Sequence, residues 1–287
     1  MRPNEPLAPR TTLRVGGPAE LLIEPASEAD LAAIVQVCSE HSSPWFVLGR
    51  GSNLLVRDGG VRGVVICLSQ PFFSRLEGTG ERLECGAGAR LKAVAVEARR
   101  RGLSGLEFLE GIPGGVGGAL RMNAGAMGSS IFDVVEEVRA MDAAGHVRCH
   151  AASELGAAYR SCVYFKDHLA LSAVLRGEPA PEAEIRQRMD TFSRKRWLTQ
   201  PPQPSAGCIF KNPAGIPAGK LIEELGLKGK QLGGAMVSPV HGNFLVNTGG
   251  ATACDLLALI ALIQERALAE RGIQLETEVQ IIGEEAG

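Results

Sequence analysis

The chain has 287 residues, of which 45% are hydrophobic and 22% charged, with a formal net charge of −2. That length carries two folded cores or three small ones, and that composition is ordinary for a globular protein. The charge balance excludes a global attraction to nucleic acid or to anionic membranes, and no apolar run approaches the roughly 20 residues of a membrane helix.

The opening MRPNEPLAPRTT lacks a basic stretch leading into an apolar one, so no signal peptide is expected. ELLIEP (20–25) reads as a strand, and Ser27 then caps a helix with Asp30 as its capping-box partner and Leu31, Ile34 and Val35 on one face. WFVLG (45–49), LLV (54–56) and GVVICL (63–68) read as short buried strands, and RLEGTGERLECGAG as a hairpin. Residues 90–101 carry Leu91, Val94, Ala95 and Ala98 at helical spacing, and Gly102 suits the left-handed position that ends such a helix. Paired strands follow around the turn at 142–146, and EPAPEAE (178–184) breaks the pattern as a linker. A helix is expected near 184–197, another over 218–226, and a long one from Thr252 and Asp255 to Gly272, before a closing strand IQLETEVQIIG. Strands and helices in unequal blocks predict an α+β fold rather than a doubly wound sheet.

The seven cysteines are odd in number, scattered and without a CxxC pair. That pattern fits reduced thiols in a cytoplasm rather than a disulfide framework. No metal site is expected. His146 closes the turn, and Cys149 and His150 fall on the strand predicted after it, where neighbours point to opposite faces.

Two glycine-rich elements stand out. LGRGSNLLV (48–56) lacks the third glycine and the following helix of a dinucleotide fingerprint, with Leu54 where that glycine would be, and no P-loop lysine follows. From the loop alone two readings stand, a backbone nest for a phosphate or a tight hairpin turn that binds nothing. GIPGGVGGALRMNAGAMGSS (111–130) gives up side-chain packing and adds backbone entropy, which suits backbone lying close to a flat or charged group. Asn123 there offers an amide to a ring edge. Glycine-rich packing is the alternative.

These stretches, with TTLRVGGPAE, YRSCVYF, PSAGCIFKNPAG, AGKLIEELGLKG, GNFLVN and LETEVQIIG, resemble the UDP-N-acetylenolpyruvoylglucosamine reductases in family order over nearly the whole length. The resemblance implies an FAD-binding domain of the vanillyl-alcohol-oxidase type in two subdomains, at 1–68 and 69–177, and a C-terminal substrate-binding domain at 178–287. It implies FAD and NADPH as cofactors, a nucleotide-sugar substrate, and a cytoplasmic role in peptidoglycan precursor synthesis. Nothing in the sequence assigns an oligomeric state. Only two tyrosines are present, Tyr159 and Tyr164, both in YRSCVYF. The chain therefore resembles the shorter form of the family, without the loop whose tyrosine covers the substrate.

By the same resemblance, FAD would lie on Gly49, Arg50, Gly51, Ser52, Asn53 and Leu54 and on Ile112, Pro113, Gly114, Gly117, Gly118, Ala119, Asn123, Ala124 and Gly125. Catalysis would fall to Arg160, Cys208 and Glu278, and Arg196, Lys211 and Asn212 would bind substrate. A guanidinium can grip a carboxylate with two parallel hydrogen bonds. On the final strand Glu278 by itself reads either as a solvated face residue or as a desolvated acid; burial beside a flavin would hold it neutral and donating. Cys208 stands where the family usually has a serine proton donor, and a thiol is a far stronger acid than an alcohol; its alternatives are a small buried thiol, which leaves the polar, glycine-rich setting unexplained, and a redox switch, for which no resolving cysteine lies nearby in sequence. Ser238, His241 and Asn243, just before and within GNFLVN, are further candidates to line the site, although His241 also reads as a structural histidine. The alternatives are another FAD oxidoreductase of the same fold, such as an alcohol or lactone oxidase, and a nucleotide-binding module without catalysis. Absence of histidine from both glycine loops weakens the first, and the trio weakens the second.

Overall fold

The computed structural model describes residues 1–287 and divides into two compact units, each discontinuous in sequence. The first comprises Leu22–Arg50 and Val64–Arg196, with Met1; the second comprises Arg2–Leu21, Gly51–Gly63 and Trp197–Gly287. This is a different cut from the contiguous segments 1–68, 69–177 and 178–287. Residues of the first segment are shared between both units, and most of the helix Glu182–Thr199 belongs to the first unit.

The first unit is built on a five-stranded antiparallel sheet in the order Val147–Ala151, Val135–Met141, Leu169–Arg176, Arg82–Gly86, Leu76–Thr79. The helix Leu91–Arg100 buries Leu91, Val94, Ala95 and Ala98, the face its periodicity predicts. Gly102 follows at φ +67° and ends it. Trp45–Leu48 pairs in parallel with residues 64–67. At the helix Glu28–Glu40, Ser27 Oγ accepts from the Asp30 N–H. The Asp30 carboxylate, expected to reach back to Ser27, accepts from the Ala26 N–H instead. One continuous apolar core runs from Leu31 to Met189 within this unit.

The second unit holds a four-stranded antiparallel sheet in the order Ser205–Cys208, Phe244–Asn247, Ala235–Val237, Gln231–Leu232. The helix Ala253–Arg271 begins with the predicted reciprocal Thr252–Asp255 capping box and ends at Gly272, φ +63°. A second carboxylate joins that cap from far away in sequence, since Asp58 accepts from the N–H groups of Ala253 and Cys254, both at 2.9 Å. Its charge also suits the positive end of the helix dipole. This unit has its own core, in which Leu13, Val15 and Leu55 join residues 206–279.

The closing strand is shorter than predicted. Only Gln280–Ile282 is regular, in parallel register with Leu54–Val56. Residues just before it change partner: Thr277 bridges Phe210, and the Lys211 N–H donates to the Glu276 carbonyl at 2.9 Å. A segment that serves two neighbours in turn cannot keep one ladder along its length.

Candidate active site

The first glycine loop is not a hairpin turn. Trp45–Leu48 pairs with residues 64–67, whereas Leu54–Val56 pairs with Gln280–Ile282, so the strands on either side of the loop serve different partners. That removes the reading in which the loop only closes a hairpin.

Its glycines divide by cause. Gly51 is at φ +60° and a Cβ there would meet the Arg10 carbonyl at 2.7 Å, so backbone and packing both demand glycine. In the second element the Gly117 N–H donates to the Ala87 carbonyl at 2.8 Å, and a Cβ on Gly117 would lie 3.2 Å from the Ala87 Cβ. Gly114 is at φ +155° and its carbonyl accepts from the Leu91 N–H. A Cβ on Gly125 would meet the Ser129 carbonyl at 2.6 Å. These are packing glycines that stitch the element down.

Gly49, Gly111 and Gly118 are different. None has positive φ, and a Cβ on any of them would meet no protein atom within 4 Å. Apart from the terminal Gly287, no other glycine combines an ordinary backbone with open space in this way. All three lie in the first unit and in the two glycine-rich elements. Nothing in the protein requires glycine there. A flat group laid against the backbone would, so the residues present fit FAD. Ile112 packs against the core, Pro113 is exposed, and Ala119 is buried in the helix Val116–Met122. Arg50 follows Gly49; burial and the neighbouring Arg90 cation both hold its guanidinium below the usual arginine range. Like charges close enough to perturb one another favour an anion nearby.

Asn123 ends the helix Val116–Met122 in the left-handed region, φ +40°. Its side chain is engaged by the protein: Nδ2 donates to the Ala158 carbonyl at 3.1 Å, and Oδ1 accepts from the Phe132 N–H at 3.4 Å. Ala124 continues inward, its N–H on the Ala119 carbonyl and its carbonyl taking the Ile131 N–H. Ala157–Ala158 pairs with Ser161–Cys162, so the turn between them is Tyr159–Arg160. Arg160 sits at φ +55°, a conformation that costs a non-glycine residue about 1–2 kcal/mol and that clusters at functional sites. Its guanidinium lies over the Tyr159 ring at 5.3 Å, with Nη1 3.5 Å from the Gly125 carbonyl. Thus the second glycine element carries Arg160 through Asn123 and Gly125.

Arg196 is in the same unit. Its Nη1 donates to the Gly111 carbonyl at 2.6 Å, and burial lowers its pKa against the opposing pull of Glu110. The other two cationic or polar candidates lie in the second unit with Cys208 and Glu278. Lys211 Nζ is ion-paired to Glu276 at 2.9 Å, and Asn212 Oδ1 accepts from the Ala218 N–H at 3.0 Å, at the start of the helix Ala218–Glu224.

Cys208 and Glu278 are brought together by backbone. The Glu278 N–H donates to the Ile209 carbonyl at 2.7 Å. Asn53 completes the link from the first glycine loop: its Nδ2 donates to the Glu278 carbonyl at 3.1 Å, and its own carbonyl accepts from the Gln280 N–H at 3.0 Å. Leu54 is buried beside it in register with Gln280, and Ser52 lies between Gly51 and Asn53. Cys208 itself follows a bulge. Ser205 faces Val246 and Cys208 faces Phe244, so three steps on one strand oppose two on the other, with Gly207 at φ +76° taking up the difference. Bulges of this kind re-aim a side chain beside a site.

His241, two residues upstream of Asn243, is a structural histidine. Its Nδ1 accepts from the Asn243 N–H at 3.2 Å, and burial with Lys228 nearby lowers its pKa. The sequence reading missed Glu276 as the partner of Lys211, and it missed the bond from Asn53 to Glu278. Neither has a local signal, because the partners are 65 and 225 residues apart.

Residues 19–150 match the model of an FAD-binding domain, and residues 200–282 match that of the C-terminal domain of UDP-N-acetylenolpyruvoylglucosamine reductase. The reductase of that name from Pelobacter propionicus is 44% identical, with 98% of this chain and 95% of the relative covered. That from Bacillus licheniformis is 44% identical over 98% of this chain and 93% of the relative. A crystal structure of the Thermus caldophilus enzyme superposes with a TM-score of 0.85 at 41% identity, covering 96% of this chain and 97% of that one. The α+β fold with an FAD-binding domain of the vanillyl-alcohol-oxidase type and a C-terminal domain follows, and FAD and NADPH are its cofactors. The chain belongs to the UDP-N-acetylenolpyruvoylglucosamine reductase family.

Proposed function

We propose that Arg160, Cys208 and Glu278 carry the reaction of this FAD-dependent oxidoreductase, the NADPH-dependent reduction of the enolpyruvyl group of UDP-N-acetylenolpyruvoylglucosamine to UDP-N-acetylmuramate. Gly49, Gly111 and Gly118 would leave room for FAD, with Arg50 and the backbone of 49–54 and 112–125 around it. Bound FAD, once reduced by NADPH, would supply the hydride for the substrate's methylene carbon. Negative charge then grows on the adjacent carbon and its carboxylate, and the remaining chemistry belongs to the chain. Arg160 grips the carboxylate through its two-pronged face. Glu278, protonated, donates to the developing enolate. Cys208 Sγ gives its proton to the adjacent carbon and regains one from solvent afterwards. Arg196, Lys211 and Asn212 serve the nucleotide sugar; each already rests on a protein partner, so each presents its remaining N–H donors from a set position. In functional terms 1–68 and 69–177 would hold the flavin, with Arg160 their contribution to the substrate, and 178–287 would supply the remaining substrate contacts. No helix is long and apolar enough to cross a membrane, and a cytoplasmic site of action completes the proposal.

The observation that carries this reading is the short bond from the Glu278 N–H to the Ile209 carbonyl, which sets a carboxyl and a thiol on adjoining backbone. Cys208→Ala tests it. NADPH should still bleach the flavin, while reoxidation by substrate should slow on the order of 10²–10⁴, the usual weight of a general acid. Cys208→Ser should keep turnover with a changed alkaline limb. Wild-type turnover in Cys208→Ala would end the assignment.

A further inference from the structure

Asn243 is one of few fully polar side chains in the interior, 2% exposed. Its amide is spent on a single residue: Oδ1 accepts from the Phe210 N–H at 2.9 Å, and Nδ2 donates to the Phe210 carbonyl at 2.8 Å. Its own carbonyl accepts from the Ile209 N–H at 2.9 Å. A side-chain amide that pairs with both backbone groups of one residue imitates a neighbouring strand.

The place where this happens gives it meaning. The ladder between Ser205–Cys208 and Phe244–Asn247 has slipped by one residue at the bulge, and Cys208, facing Phe244, is its last paired residue. Beyond it the backbone of Ile209 and Phe210 would run on without strand partners. Asn243 takes over on one side. On the other, the Ile209 carbonyl accepts from the N–H groups of Glu278 and Val279, and the Lys211 N–H reaches the Glu276 carbonyl. The backbone after Cys208 is therefore gripped from both flanks, whereas the backbone before it passes through Gly207, the most permissive residue available. A thiol that follows a glycine bulge and precedes a doubly held segment takes its direction from the held side.

We infer that Asn243 is a positioning residue for the reaction: its bidentate clamp on Phe210 sets the orientation from which Cys208 delivers its proton. This rests on the assignment of Cys208 as proton donor. Both ends of the amide converge on the segment that carries the thiol. Displacing a catalytic group by about 1 Å can cost on the order of 10²-fold in rate.

The experiment compares Asn243→Ala and the near-isosteric Asn243→Asp, which keeps an acceptor for the Phe210 N–H, each alone and in the Cys208→Ala background, in FAD-loaded protein of confirmed melting behaviour. The expected result is a fall in kcat on the order of 10–10² for Asn243→Ala, with KM for the enolpyruvyl nucleotide and the rate of flavin bleaching by NADPH within twofold of wild type. Asn243→Asp should lie nearer wild type at acid pH, where a protonated carboxyl can accept from the Phe210 N–H and donate to its carbonyl, and lose activity as it ionises. In the Cys208→Ala background the same substitutions should change the residual rate less than twofold, since the group they position is gone. Alkylation of Cys208 by iodoacetamide, followed on its peptide by mass spectrometry, should change in rate in the single variants. An undiminished kcat in both single variants would overturn the inference. So would an equal loss with and without Cys208, or a matched loss in flavin bleaching, both of which mark a general structural role. If Asn243→Ala does not fold, Asn243→Asp carries the same comparisons. Full turnover in Cys208→Ala would remove the proton-donor assignment instead, and unchanged alkylation in the single variants would then reject the positioning role on its own.

Discussion

Replacing Gly118 by alanine should stabilise the flavin-free protein and weaken its hold on FAD. Gly118 lies in the helix Val116–Met122 with an ordinary backbone, and its missing Cβ would meet no protein atom within 4 Å. Alanine there removes the conformational freedom that glycine loses on folding, a gain of up to about 1 kcal/mol. For a chain of this size such a gain raises Tm by roughly 2 °C. The same methyl group enters the space assigned to FAD, and forcing an extra carbon into a filled site costs about 1–3 kcal/mol. That corresponds to roughly 5- to 150-fold weaker binding, at 1.4 kcal/mol per factor of ten. Thermal melting of protein stripped of flavin, and titration with FAD followed by flavin fluorescence, read the two effects separately. Gly117→Ala is the internal contrast, since its Cβ would press on the Ala87 Cβ at 3.2 Å; it should stabilise the flavin-free protein less than Gly118→Ala does. Unchanged FAD affinity in Gly118→Ala would refute the reasoning, and so would a flavin-free protein several degrees less stable.

Two further outcomes follow from the same geometry. Arg160→Lys keeps the charge but loses the fork, so kcat/KM for the nucleotide substrate should drop on the order of 10² with melting little changed; equal activity would show that a point charge suffices. Burial and Lys228 hold the pKa of His241 below its ordinary value. The unfolded chain then binds more protons than the folded one between the folded pKa and about 6.5, so stability rises with pH across that window and is lost as pH falls through it. Replacing His241 by asparagine, whose Oδ1 can accept from the Asn243 N–H in place of Nδ1, should flatten the pH dependence of the urea midpoint between pH 5 and 7; an unaltered slope would exclude His241 as its source.

Much of this protein is written in stretches of a few residues. The amphipathic face of Leu91–Arg100, the Thr252–Asp255 capping box and the stops at Gly102 and Gly272 come from spacing and capping chemistry that need no distant partner. Family order in the glycine loops and in the runs around Arg160, Cys208 and Glu278 made the cofactor and the reaction legible from the same short motifs. Tertiary structure alone decided which glycines serve packing and which leave space: Gly117 and Gly118 are neighbours in sequence, yet one is crowded by Ala87 and the other is open. It also decided that Leu54–Val56 pairs with Gln280–Ile282, that Asn53 holds the Glu278 carbonyl, that Lys211 meets Glu276 and that Asn243 clamps Phe210. The reason is physical. Helix caps and periodic faces are settled by interactions within one or two turns, whereas strand register and buried amide partners depend on which distant segment the folded topology brings alongside, and no residue type announces that neighbour.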